Sequence, residues 1–170
     1  MLNAGSTSDG TIQYSTDEST WNTTIPSQTN TGTYTTYWRI VGDSNHNDKA
    51  SASISTTISP KVVSSPTIIL SQSNYTYDGN ACQPTVTVKD GNVTIASSEY
   101  TVSYSDNINV GTATVTITDN TGGNYTVNGT ENFTISKVTP TVTAPTAKTL
   151  TYTGSAQALI NAGSTDWGTL

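Results

Sequence analysis

The chain has 170 residues, 32% hydrophobic and only 11% charged, with a formal net charge of −6, where globular chains usually carry roughly 45–50% and 25%. Its six cations, Arg39, Lys49, Lys61, Lys89, Lys137 and Lys148, are scattered, which argues against nucleic acid, because phosphates call for clustered Lys and Arg. No stretch approaches the roughly 18 apolar residues of a membrane span, and residues 1–20 lack the basic and apolar regions of a signal peptide, so the sequence reads as a mature segment without membrane insertion. Thr, Ser and Asn fill the composition, together with Val, Ile and nine Tyr, a mixture that favours strands. No window repeats apolar residues at helical spacing, so essentially no helix is expected.

In chain order, residues 1–60 carry Tyr14-Ser15, then Trp21 in a polar stretch, then Gly32-Thr33-Tyr34 leading to Tyr37-Trp38. An Asn- and Gly-rich turn and a closing strand at Ala50–Ile58 follow. Residues 61–137 repeat that order. Gly111-Thr112-Ala113 leads through Val115 to Ile117, matching Gly32 to Trp38, and a closing strand follows at Thr130–Ile135. This second stretch also has an opening part. Tyr77, Tyr104, Val115 and Ile117 alternate with polar neighbours and form the expected core set. Asp90-Gly91 between two β-rich runs predicts a hairpin turn.

Residues 138–170 resemble the opening part of the second stretch, since Leu150-Thr-Tyr152-Thr-Gly154 matches Tyr75-Thr-Tyr77-Asp-Gly79. The two ends also match, Leu2-Asn3-Ala4-Gly5-Ser6-Thr7 reappearing as Ile160-Asn161-Ala162-Gly163-Ser164-Thr165. Three segments result: 1–60, a module lacking its opening strands; 61–137, a complete module; and 138–170, the opening strands of a further module of the first type. Short connections are expected around Ser59–Ser65 and at Lys137-Val138-Thr139-Pro140, since proline cannot donate to a ladder. Short alternating strands separated by turn signals predict antiparallel sandwiches.

The sequence resembles the bacterial immunoglobulin-like tandem repeats of large surface proteins, of the YDG and MBG type, through Tyr77-Asp78-Gly79, Tyr104-Ser105, Gly111-Thr112-Ala113, Gly123-Asn124-Tyr125-Thr126 and Phe133-Thr134-Ile135. It departs from that pattern at Thr153, where the family's Asp would stand, and after Gly42, where Gly-Asn-Tyr is missing. The resemblance implies an all-β fold of tandem immunoglobulin-like β-sandwiches, an extracellular place on the bacterial cell surface, and a stalk, filament or adhesin-spacer role with no catalytic residues to carry over.

The residues themselves offer little chemistry. His46 is the one histidine and lies in Gly42-Asp43-Ser44-Asn45-His46-Asn47-Asp48, a composition that turn geometry selects. Asp17, Glu18, Glu99 and Glu131 fall on separate expected loops, which gives no carboxylate pair for glycoside hydrolysis. An EF-hand-like reading of Asp43 to Asp48 fails at its sixth and twelfth positions, occupied by Asp48 and Ile54, where Gly and an acid are required. The expectation is therefore no enzyme, no metal and no cofactor. Cys82 is the single cysteine; it cannot form an internal disulfide and is expected as a small buried hydrophobe.

Two surface roles remain. Residues 1–60 lack an opening strand, and 138–170 supply one, so Leu150, Tyr152, Leu159 and Ile160 are the expected strand donors. They complete either another subunit, in head-to-tail self-association, or a neighbouring repeat of the same chain. The alternative is a carbohydrate-binding or adhesin module with Trp21 against a glycan or host surface.

Overall fold

The computed structural model describes residues 5–168 and is nearly all β, with several antiparallel sheets and no α-helix among those residues. Leu2, Asn3 and Ala4 of the repeated hexapeptide lie outside them. The strands are β1 (Gly10–Ser15), β2 (Gly32–Gly42), β3 (Lys49–Ile58), β4 (Lys61–Val63), β5 (Thr67–Leu70), β6 (Asn74–Thr76), β7 (Val86–Asp90) and β8 (Val93–Thr94). They continue as β9 (Tyr100–Ser105), β10 (Gly111–Asp119), β11 (Tyr125–Val127), β12 (Gly129–Ser136), β13 (Val142–Thr143), β14 (Thr146–Ala147), β15 (Ile160–Asn161) and β16 (Ser164–Thr165). The sheets run β1-β2-β3, β5-β7-β8 and β6-β12-β10-β9, with the pairs β4-β11, β13-β16 and β14-β15. Two compact units result: Met1–Leu70 with Val86–Ser103 and Val115–Glu131, and Ser71–Thr85 with Tyr104–Thr114 and Asn132–Leu170.

In the first unit, β1 and β3 flank β2 antiparallel, with Tyr14 opposite Trp38 and Tyr34 opposite Thr56. Directly opposed residues share a face. One face therefore carries Ile12, Tyr14, Tyr34, Thr36, Trp38, Ile54 and Thr56, and the other carries Gln13, Thr33, Arg39 and Thr57. Among the described residues up to 58, however, only Ser15 and Thr36 are buried. The buried hydrophobic residues of this unit come from further along: Val63, Val88, Ile95, Tyr100, Val115, Ile117 and Val127. In the second unit they are Cys82, Ala113, Phe133 and Ile135.

Of the expected core set, Val115 and Ile117 are 0% and 1% exposed, as the alternation along β10 requires. Tyr104 and Tyr77 are only half-buried. Tyr104 must satisfy its hydroxyl, which donates to the Pro84 carbonyl at 2.6 Å, so the ring sits where its tip can reach a polar partner. Tyr77 lies edge-on to Trp167 with ring centroids 5.5 Å apart. The ring packed against buried Phe133 is that of Tyr75, at 5.4 Å.

The expected hairpin is present, one residue later than the sequence signal. Asp90 pairs with Val93, so the loop residues are Gly91 and Asn92. Gly91 takes φ 57°, which costs glycine nothing, and Asp90 instead ends β7 with its carboxylate paired to Lys61.

The connection expected around Ser59–Ser65 is ordered by pairing, because Lys61–Val63 is β4 and runs parallel to β11. Asn124 organises this joint within the first unit. Its backbone N–H donates to Glu99 Oε2 at 2.6 Å, its carbonyl accepts from Lys61 N at 2.9 Å, and its side-chain Oδ1 accepts from Thr31 N at 2.8 Å. Gly123 leaves the room for this, since a Cβ there would stand 2.7 Å from Glu99 Oε2.

Ile117→Ala should destabilise the protein by about 2–5 kcal/mol in urea unfolding, the usual cost of emptying a buried aliphatic site; a loss under about 0.5 kcal/mol, the range of exposed positions, would contradict its burial. Asn124→Ala strands the half-buried Thr31 N–H and should cost about 1–3 kcal/mol; an unchanged denaturation midpoint would show that the joint carries no stability.

Candidate functional site

The first sheet places Trp21 by a local device. β1 ends at buried Ser15, and Asp17 turns the chain: its Oδ1 accepts from the backbone N–H of Thr20 at 2.7 Å and of Ser19 at 2.9 Å, and from the Ser15 hydroxyl at 2.8 Å. Those bonds favour the ionised carboxylate and hold its pKa far below the ordinary value, with the Thr20 N–H contributing most. The chain then returns to β1, where Tyr14 and Asn22 exchange backbone bonds of 2.7 and 3.1 Å. Trp21 is thereby brought beside Arg39, whose guanidinium carbon stands 4.5 Å from the ring centroid. Arg39 is itself aimed by Gln13, opposite it across the sheet, whose Oε1 accepts from Nε and Nη2 at 2.9 and 2.8 Å. One face of Trp21 is thus occupied by a cation, a contact worth about 0.5–1 kcal/mol at an exposed site. Arg39 and Gln13 had no signal in the sequence, because their proximity to Trp21 depends on strand register.

A groove of about 660 Å³ opens on the same sheet, lined among others by Ile25 and Pro26 of the β1–β2 connection, Tyr34 and Thr36 of β2, and Thr56 and Ile58 of β3. Ile25 and Pro26 were not anticipated either. β3 is the end strand of its sheet.

The four expected donor residues fall in two settings within the second unit. Leu159 and Ile160 sit at a two-stranded ladder, in which Ile160 pairs with Ala147 and the Leu159 carbonyl accepts from Lys148 N at 3.0 Å. Leu150 and Tyr152 lie in the intervening loop, outside the described strands. All four are exposed, Tyr152 at 92% and Leu159 at 72%.

The remaining candidates serve local structure. The Asp43 carboxylate accepts from Asn45 N at 2.8 Å and meets His46 Nδ1 at 2.7 Å, and these bonds, the first being the larger, lower its pKa. Asp48 accepts from Gly42 N at 2.9 Å and closes the same turn. Cys82 is buried, and desolvation pushes its thiol pKa up. Among the described residues no three His, Cys, Asp or Glu side chains group to hold a metal ion, and no helix is long and apolar enough to cross a membrane.

No family model, curated protein or solved structure matches the chain.

Asp17 generates a pH prediction. A carboxylate whose folded pKa is depressed contributes stability that is complete above the unfolded value, about 3.9 for Asp, and is lost only as pH falls through the folded value. The Asp17 carboxyl carbon, followed by NMR, should keep its ionised shift at about pH 3, where an ordinary Asp is mostly protonated; a midpoint near 3.9 would refute the three-bond turn.

Proposed function

We propose that the chain is a structural repeat unit of an extracellular bacterial surface stalk or filament, made of tandem immunoglobulin-like β-sandwiches that associate head to tail or with neighbouring repeats. Residues 1–60 are a module lacking its opening strands, 61–137 a complete module and 138–170 the opening strands of a further module of the first type, and none of them is an enzyme. The observation that carries this reading is the strand order. β1, β2 and β3 follow one another across a sheet as β9, β10 and β12 do. The sequence correspondences fall on the same strands: Tyr14-Ser15 in β1 with Tyr104-Ser105 in β9, and Gly32-Thr33 in β2 with Gly111-Thr112 in β10. Tyr34, Thr36 and Trp38 then stand where Ala113, Val115 and Ile117 stand, and those three are fully buried. Two segments that build the same sheet in the same order are what duplication of one module produces. The connection at β4, ordered by its pairing with β11 and by Asn124, suits a structural repeat better than a flexible tether.

Two measurements separate this from a sugar-binding module. The full chain, stretched between handles at its ends by atomic force microscopy, should give discrete unfolding events, and a broad glycan array should remain silent. Smooth extension without force peaks, or glycan binding abolished by Trp21→Ala, would sink the structural reading.

A further inference from the structure

We propose that the free edge of β3 accepts, in parallel, the segment Thr149–Tyr152 of a second copy of this chain, with Leu150 opposite Ile58. The inference rests on reading β1-β2-β3 as a repeat of β9-β10-β12, and it specifies the edge, direction and register of that assembly.

The complete sheet supplies the template. Its fourth strand, β6, lies beyond β12 and runs parallel to it, with Thr134 opposite Asn74, Ile135 opposite Tyr75 and Ser136 opposite Thr76. The ladder is held by Thr134 N donating to the Ser73 carbonyl and Tyr77 N donating to the Ser136 carbonyl, both at 2.9 Å. β3 and the residue after it read Thr57-Ile58-Ser59, and β12 ends in Thr134-Ile135-Ser136, the same three residue types, each followed closely by Lys-Val. β3 is nevertheless the last strand of its sheet. An end strand presents a row of backbone donors and acceptors that another strand can pair.

The partner of β12 has a near copy in the chain. Tyr75-Thr76-Tyr77 corresponds to Leu150-Thr151-Tyr152, both closed by a glycine two residues later, Gly79 and Gly154. Transferring the register puts Thr149 opposite Thr57, Leu150 opposite Ile58 and Thr151 opposite Ser59. The ladder becomes Thr57 N to the Lys148 carbonyl and Tyr152 N to the Ser59 carbonyl. Pro60 follows and ends it, having no N–H to offer.

The side chains agree with this placement. Tyr75, on the template strand, packs against Phe133. Leu150 takes its position beside Thr56 and Ile58, which line the groove together with Tyr34, Thr36, Ile25 and Pro26. That face of the first sheet buries no aliphatic side chain, while Leu150 and Tyr152 are 41% and 92% exposed and belong to no described strand. An apolar face without cover and an exposed segment with Leu150 and Tyr152 outside any described strand are thus complementary in register and chemistry. A second copy supplies the segment without rearranging the pairs β13-β16 and β14-β15, which flank it in sequence.

Disulfide trapping between full-length chains tests the register. Thr57 and Thr149 fall on the polar face, so cysteines there leave the groove intact, and Cys82 is buried. Parallel neighbours lie about 4.8 Å apart, within the span a disulfide bridges. Chains carrying Thr57→Cys, mixed with chains carrying Thr149→Cys under oxidised glutathione, should yield a covalent dimer. Chains carrying Thr57→Cys mixed with Thr153→Cys, which is displaced by about 13 Å along the strand, should not. Leu150→Asp should reduce the mass seen by light scattering to that of a single chain with an unchanged circular dichroism spectrum. No dimer, equal trapping of both pairs, or closure of the Thr57→Cys/Thr149→Cys double variant within one chain each overturns the proposal. A single chain carrying Asn74→Cys and Thr134→Cys reports on the template. If its internal disulfide closes while the 57–149 dimer fails, strand acceptance by β3 is wrong and the repeat reading stands. If the internal disulfide also fails, the template falls, and the repeat reading with it.

Discussion

Backbone hydrogen bonding between strands is the interaction on which this protein depends. With hydrophobic residues at 32% of the sequence, the chain has little apolar surface to withdraw from water, and each unpaired backbone group away from solvent costs as much as a lost hydrogen bond. The first sheet is the extreme case. Every residue of β2 is paired, Gly32–Trp38 with β3 and Tyr37–Gly42 with β1, yet the buried residues among the described part of 1–58 are a serine and a threonine. Strand pairing there is secured before burial is.

Small polar side chains do the work that apolar contacts do elsewhere. Asn124 is simultaneously donor and acceptor to Glu99, Thr31 and Lys61, joining three segments distant in sequence. Asn120 does something similar on a smaller scale, its side chain bonding Thr101 and the Ser98 carbonyl. Asp17 and Asp43 close turns in the same way. Asn and Asp carry two or more bonding sites on a short, stiff side chain, so a sheet protein rich in them can fix its loops without enlarging its core. The Gly-Asn-Tyr motif at 123–125 is therefore a joint in this structure.

A protein stabilised by ladders is sensitive to where those ladders stop. In β6-β12-β10-β9 the aliphatic stripe of β10 is fully buried, whereas the equivalent stripe of β2 carries Tyr34, Thr36 and Trp38, larger or more polar side chains that remain partly accessible apart from Thr36. The same strand order thus yields a closed core in one place and an open groove in the other.

Much of this was legible in the sequence. Alternation placed Val115 and Ile117 inside, because a strand's two faces follow directly from a period of two, and the lack of helical periodicity agrees with the absence of α-helix among the described residues. Tertiary structure decided what pattern alone could not. Tyr104 and Tyr77 alternate correctly, but a buried hydroxyl needs a partner, and only the fold shows that Pro84 lies within its reach. The hairpin loop is Gly91-Asn92 rather than Asp90-Gly91, since Asp90 pairs with Val93 in the ladder, and its carboxylate meets Lys61, twenty-nine residues earlier in number. Pairing of Lys61–Val63 with β11, the seat of Trp21 against Arg39, and the groove formed with Ile25 and Pro26 likewise depend on register between distant segments. A sequence specifies faces and turns through neighbours; which strand lies beside which, and which edge is left open, is set by contacts between residues far apart along the chain.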